Sequence, residues 1–196
     1  METRKNPVRQ RQKKTFVLVD QLNLDRPPAF RLLKQNQLSL FIKEFIESFG
    51  EVESISFNEN VNGYYPDIIF SYMGVVFIIE IDEHQHKKGI SYSADREKER
   101  TNALRSYFKS LILVRINPDK SNTRPIPMIS MYYNEESRAK EIIVNAGEVE
   151  HRHGEVEKVL RWLFFNIKQQ REQAEAAAKI YQPLKFEEHK LFFDLS

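Results

Sequence analysis

"YYPDIIFSYMGVVFIIEIDEHQH", residues 64 to 86, holds two runs of Ile, Val, Phe and Tyr separated by Met73-Gly74. Aromatic and β-branched runs divided by a turn read as two buried strands of a hairpin. Three carboxylates, Asp67, Glu80 and Asp82, interrupt them. Acids in strands built for burial are costly unless each finds a partner. If Met73 and Gly74 form the turn, Tyr72 pairs with Val75 and Asp67 falls opposite Glu80. Opposed residues of an antiparallel pair share a face, with Cβ atoms about 5 Å apart. Asp82, two residues beyond Glu80, lies on the same face. The hairpin thus gathers three acids at one end of the sheet, whereas a one-residue slip would scatter them.

Three ionised carboxylates so placed repel one another, and each favours either a proton or a cation. These two strands contain no Lys or Arg cluster to neutralise them. A hard divalent ion does so: Mg²⁺ favours carboxylate oxygen and water. There it polarises a phosphoryl oxygen and activates a water for in-line attack. Asp67, Glu80 and Asp82 are therefore expected to form a metal site. Alternatively, the acids are solvated strand ends or pair with Arg115.

Outward from the hairpin, "KQNQLSLFIKEFIESFG" carries Leu38, Phe41, Ile42, Phe45, Ile46 and Phe49 at helical spacing, with Gly50 as a stop. "VESISFN" predicts a short strand before the hairpin, and "TFVLVDQLNL" an earlier one. "SADREKERTNALRSYFKS" predicts a helix capped by Ser93, packing through Leu104, Tyr107 and Phe108. "LILVRI" is a further buried strand, closed by the turn-rich "NPDKSNTRPIP". "MISMYY" predicts a strand and "NEESRAKEIIVN" a helix. The stretch from Gly154 to Tyr181 predicts a long helix with the stripe Val156, Val159, Leu160, Leu163, Phe164 and Ile167, with Trp162 in its core face. The order implies an α/β layer with a mixed sheet. The expected organisation is a basic arm over residues 1–15, a core over 16–128 and a mostly helical extension over 129–196.

With 196 residues, 41% hydrophobic and 30% charged, the chain suits one well-buried soluble domain. The absence of Cys excludes disulfides, thiolate catalysis and Cys-ligated zinc. No run is long enough to span a membrane and no signal core follows the first residues, so a cytoplasmic or nuclear site is expected. The net charge is only +2. Yet Arg4, Lys5, Arg9, Arg11, Lys13 and Lys14 crowd the first fourteen residues, as an arm for phosphates, a nuclear-import signal or a solubilising tail. "EHRHG", residues 150–154, pairs two His without a second pair nearby, and reads as an exposed loop or helix entry rather than zinc ligation.

In its motifs the chain resembles the PD-(D/E)XK, or restriction-endonuclease-like, nucleases. The pattern is Pro66-Asp67, twelve residues, then Glu80-Ile81-Asp82, and the likeness covers about residues 36 to 119. It is similar in particular to a branch reading E-x-D-E-x-Q-H. Here that segment is Glu80, Asp82, Glu83, Gln85 and His86, followed by Tyr92, Glu97, Arg100, Arg115, Asn117, Pro118 and Asp119. The resemblance implies a restriction-endonuclease-like core whose metal is held by Asp67, Glu80 and the Ile81 carbonyl, with Glu44 or Glu47 adding an acid. It implies Mg²⁺ or Mn²⁺ as cofactor and DNA as substrate, with RNA open to the same chemistry. The usual Lys two residues after the acid is Asp82 in this chain. Either Asp82 is a further ligand, or Gln85 or His86 handles the attacking water, or activity has been lost; His86 suits a general base near neutral pH. Lys87 and Lys88 are placed to reach a phosphate, and Arg100 and Arg115 serve as phosphate clamps or as partners for the acids. Very-short-patch-repair-type endonucleases, which the branch distantly resembles, likewise lack the Lys. The implied function is a DNA endonuclease or nickase of restriction, repair or homing type; a homodimer through the last helix would suit two-strand cutting. The rivals are an RNA endonuclease of the same fold and a silent nucleic-acid-binding module.

Overall fold

The computed structural model describes residues 30–82, 94–121, 124–134, 139–177, 180 and 185–192. The basic arm, the expected first strand and the segment from Glu83 to Ser93 lie outside these residues.

Helix α1 (Phe30–Glu47) leads into β1 (Val52–Phe57), then the hairpin β2 (Ile68–Tyr72) and β3 (Val75–Ile81). Helix α2 (Ala94–Tyr107) crosses over to β4 (Leu111–Ile116). A ribbon of β5 (Ile129–Asn134) and β6 (Ala139–Val144) precedes the long helix α3 (Ala146–Ala176), and β7 (Phe186–Leu191) follows. The central sheet runs β1-β2-β3-β4-β7, antiparallel through the first three strands and parallel across β3-β4-β7. It is a mixed five-stranded sheet flanked by helices, the α/β class expected.

The hairpin forms in the expected register, with Tyr72 opposite Val75 and Ile68 opposite Ile79. Its turn places Met73 at φ 50° and Gly74 at φ 78°. Paired left-handed residues suit the right-handed twist of the flanking strands, and glycine takes that conformation without a Cβ penalty. A Gly74→Val substitution is expected to cost about 1–2 kcal/mol, read from the urea midpoint.

Two cores sandwich the sheet. On one face Ile68, Phe70, Tyr72, Val75, Phe77, Ile79 and Ile81 meet side chains of α1 and α3. Phe164 of α3 is the hub: its ring lies 4.4 Å from that of Tyr72, 4.9 Å from Phe49 and 5.4 Å from Phe77, centre to centre. On the other face Ile78, Leu111 and Leu113 pack with Leu104 of α2 and Val61. Alternation therefore assigns Glu80, Asp82 and Arg115 to the α2 face.

Three expectations are corrected. Residues Ala139–Val144 form β6 rather than part of a helix, because Ile142, Ile143 and Val144 are a β-branched run paired to β5. Helix α3 begins at Ala146, two turns earlier than expected, so His151 and His153 sit on it. Trp162 is 52% exposed, off the buried stripe, with its ring beside His189. Past residue 128 the C-terminal helix α3 packs on the main core, where Met128, Val156, Leu160 and Phe164 meet, and β7 joins the central sheet.

Candidate metal centre

Asp67 ends the loop before β2, and its main-chain carbonyl still accepts from Asn58 N–H across to β1. One carboxylate oxygen accepts from Ile81 N–H at 2.6 Å. This amide lies beyond the last ladder pair, Ile68 with Ile79, so the side chain replaces a missing strand partner. The other oxygen accepts from Gln35 of α1. Asp67 is thereby fixed against β3 at the level of Glu80.

Glu80 and Asp82 are both buried. Glu80 lies opposite Arg115 in the β3-β4 register but pairs with Arg100 of α2. Asp82 accepts from Arg115 Nε at 2.8 Å, and Arg115 also pairs with Glu97 of α2. Lys190 of β7 reaches Glu97 at 4.0 Å. The result is an alternating cluster of acids and guanidiniums running across the α2 face from Asp67 to the edge strand. The expected convergence of acids on one face holds; the absence of basic residues holds only within the hairpin, because α2 and β4 supply them.

Burial dominates the electrostatics. It pushes Glu80 up to about 8 against the attraction of Arg100, with Asp67 and Asp82 adding repulsion. Asp67 is pushed up to about 6, again first by burial; the Ile81 amide and Arg100 oppose the shift and Asp82 adds to it. Two neighbouring carboxyls thus hold protons far above their ordinary range, an arrangement that a cation relieves.

Among the described residues, no three acidic or histidine side chains come together as a ready-made cage. Mg²⁺ does not require one, since one or two carboxylates with water and substrate oxygens suffice. Asp67 and Glu80 form such a pair. Glu44 is exposed on α1; the α1 residue that reaches the acids is Gln35. Gln85, His86, Lys87 and Lys88 lie outside the described residues.

The remaining motif residues have structural employment. Asn117, fully buried, donates to Phe192 O at 3.2 Å, takes Asp119 N–H at 2.8 Å and ties the end of β4 to the end of β7. Asp119 pairs with Lys34 of α1. His153 stacks on Phe41 at 4.0 Å, and burial pushes its pKa down to about 4, so it is a neutral, half-buried ring. Arg152 between the two histidines is fully enclosed, a role with no sequence signal because Glu148, four residues earlier, makes it look like half of a surface pair.

No family model matches the chain, and a search of curated proteins finds no match. Among solved structures, one titled "Crystal structure of SSO0001" is 19% identical, covering 76% of this chain and 70% of that one, with a TM-score of 0.28. A likeness that low carries no argument. No described helix is long and apolar enough to cross a membrane.

Proposed function

We propose that this chain is a metal-dependent phosphodiesterase, a DNA endonuclease or nickase of the PD-(D/E)XK kind. The observation behind this reading is that Asp67, at the entry to β2, and Glu80, on β3, lie together on one face with both carboxyls lifted by burial. A fold retains such a pair at a cost in stability, which a bound cation offsets. Asp67, Glu80 and the Ile81 carbonyl would hold Mg²⁺ or Mn²⁺, with Asp82 close by. When bound, the ion polarises a phosphoryl oxygen and lowers the pKa of water.

The chain's own residues divide the remaining work. Ile81 N–H and Gln35 hold Asp67 in one orientation. Arg115, only 6% exposed between Asp82 and Glu97, is a positioning residue rather than a phosphate clamp. In the place of the family's Lys, Asp82 holds Arg115, so the role of base falls to His86 or Gln85 in this reading. Lys87 and Lys88 would follow the phosphate backbone. RNA is an alternative substrate for the same chemistry. The arginine pairing of both Glu80 and Asp82 specifically favours a second reading, a silent nucleic-acid-binding module whose guanidiniums have replaced the ion.

Incubation of the protein with supercoiled plasmid and with structured RNA, each with Mg²⁺, Mn²⁺ or EDTA, distinguishes these readings. Cleavage with metal, lost in EDTA and in Asp67→Ala, is the expected result. Binding without cleavage of either polymer would establish the silent module, and cleavage surviving Asp67→Ala would relocate the site.

A further inference from the structure

Arg100 and Arg115 both pair with site acids, yet their settings differ. The Arg115 side chain is 6% exposed and is held on two sides, by Asp82 and Glu97. Arg100 reaches down from α2 to Glu80 with its side chain 30% exposed, while Glu80 behind it is 8% exposed. Of the two groups, the Arg100 guanidinium is the more open to an arriving ligand. The two groups, with Glu97, Thr101 and Arg115, border a cavity of about 10 Å³, room for about one water and no more while Arg100 stays in place. Beside it, the Tyr64 ring lies 6.0 Å from the guanidinium carbon. An aromatic face at that distance attracts the guanidinium weakly.

Resting on the phosphodiesterase reading above, we propose that Arg100 is an exchangeable partner of Glu80. It holds the Glu80 carboxyl while no divalent ion is bound, and turns outward to a substrate phosphate when the ion takes its place. Guanidinium serves both positions because its planar fork matches carboxylate and phosphate oxygens alike. Arg115 cannot make this exchange, because leaving would strip Asp82 of a buried partner. The two arginines thus have separate duties, one fixed and one mobile.

The exchange couples the two ligands. On its own, a divalent ion must displace Arg100 from Glu80, which weakens its binding. A phosphodiester that receives the released guanidinium returns that loss, so each ligand tightens the other by the same factor. The expected factor is about tenfold, within the ordinary range for coupled sites.

The test is calorimetric titration of Mn²⁺ into the full chain, alone and with a short phosphorothioate DNA duplex, for wild type, Arg100→Gln and Arg100→Lys. Glu80→Gln with duplex reports the Mn²⁺ taken up by the DNA itself. Wild type is expected to bind Mn²⁺ about tenfold more tightly with duplex. Arg100→Gln is expected to bind Mn²⁺ several-fold more tightly than wild type without duplex, and to gain nothing from it. A circular dichroism spectrum confirms folding, and Arg100→Lys keeps the charge and retains part of the coupling if the Gln variant unfolds. Equal or weaker Mn²⁺ binding by folded Arg100→Gln would make Arg100 a structural partner and overturn the exchange alone. Wild type without Mn²⁺ affinity under either condition would overturn the metal reading and the exchange together.

Discussion

Glu80→Gln is expected to stabilise the metal-free protein above neutral pH while reducing metal-dependent cleavage on the order of 10²–10³-fold. The two effects share one cause. In the unfolded chain this carboxyl titrates near 4.5; in the fold, burial first and then Asp67 and Asp82 push it up to about 8. Between those values the folded state keeps a proton that the unfolded state has released. This group's contribution to stability therefore falls as pH rises across that window, being fully present below about 4.5 and lost above about 8, while the buried His153 works the other way between about 4 and 6.5. At 1.36 kcal/mol per tenfold change in proton affinity, the accumulated loss is on the order of 5 kcal/mol. Gln fills the same volume without a charge to desolvate, so Glu80→Gln should flatten most of that slope. Saturating Mn²⁺ should flatten it in wild type as well, because an ion bound only by the fold stabilises it. The activity loss follows from removing one of two anionic ligands, which forfeits several kcal/mol of transition-state stabilisation at 1.36 kcal/mol per tenfold. Urea denaturation at pH 5, 6.5 and 8, with and without Mn²⁺, checks the stability half. A Glu80→Gln variant whose stability advantage over wild type does not grow from pH 5 to pH 8 without metal would refute the buried-carboxyl account.

Arg152→Met is expected to destabilise the protein by about 3–5 kcal/mol, the usual cost of breaking a buried charged pair from one side. The guanidinium donates to Glu148 at 2.7 Å, to Asp119 O at 2.9 Å, to Ile126 O at 3.2 Å and to Asn117 O, with no solvent exposure. It also lies 4.9 Å from the centre of the Phe192 ring. Met fills much of the volume but leaves three carbonyls without this donor and Glu148 with Arg124 alone. Burial works to raise the Glu148 pKa, and the two arginines outweigh it and hold it below the usual range. Arg152→Lys should recover less than half of the loss, since one ammonium cannot address four acceptors spread over such a fork. Urea midpoints at constant slope measure both, and a Met variant within 1 kcal/mol of wild type would contradict this view of the loop after β4.

Much of this architecture was legible before any coordinates. The hairpin register followed from one assumption about Met73-Gly74, because a period of two leaves no freedom once the turn is placed. The same assumption put Asp67 opposite Glu80. What escaped the sequence was partnership across distance. Arg100 and Arg115 were visible as cations, but their pairing with Glu80 and Asp82 depends on how α2 docks. Gln35 reaching Asp67 across 32 positions leaves no local trace. Strand β7 was missed because "FEEHKL" is an edge strand, and charges suited to a sheet edge hide the apolar signal by which strands are recognised. The breadth of the periodic stripe places Trp162 in the core, whereas the helix buries its Val156, Leu160, Leu163, Phe164 and Ile167 side.

The parallel pairing of β4 with β7 joins Leu111 to Phe186 across the whole of α3. A nascent chain leaving the ribosome therefore carries β4, with all six residues apolar or destined for burial, for as long as the intervening segment takes to be translated. Throughout that interval one edge of the strand is open to any other extended polypeptide. The sheet is accordingly completed only once β7 has emerged, and the protein's yield in a cell is expected to depend on a chaperone that shields the unfinished border.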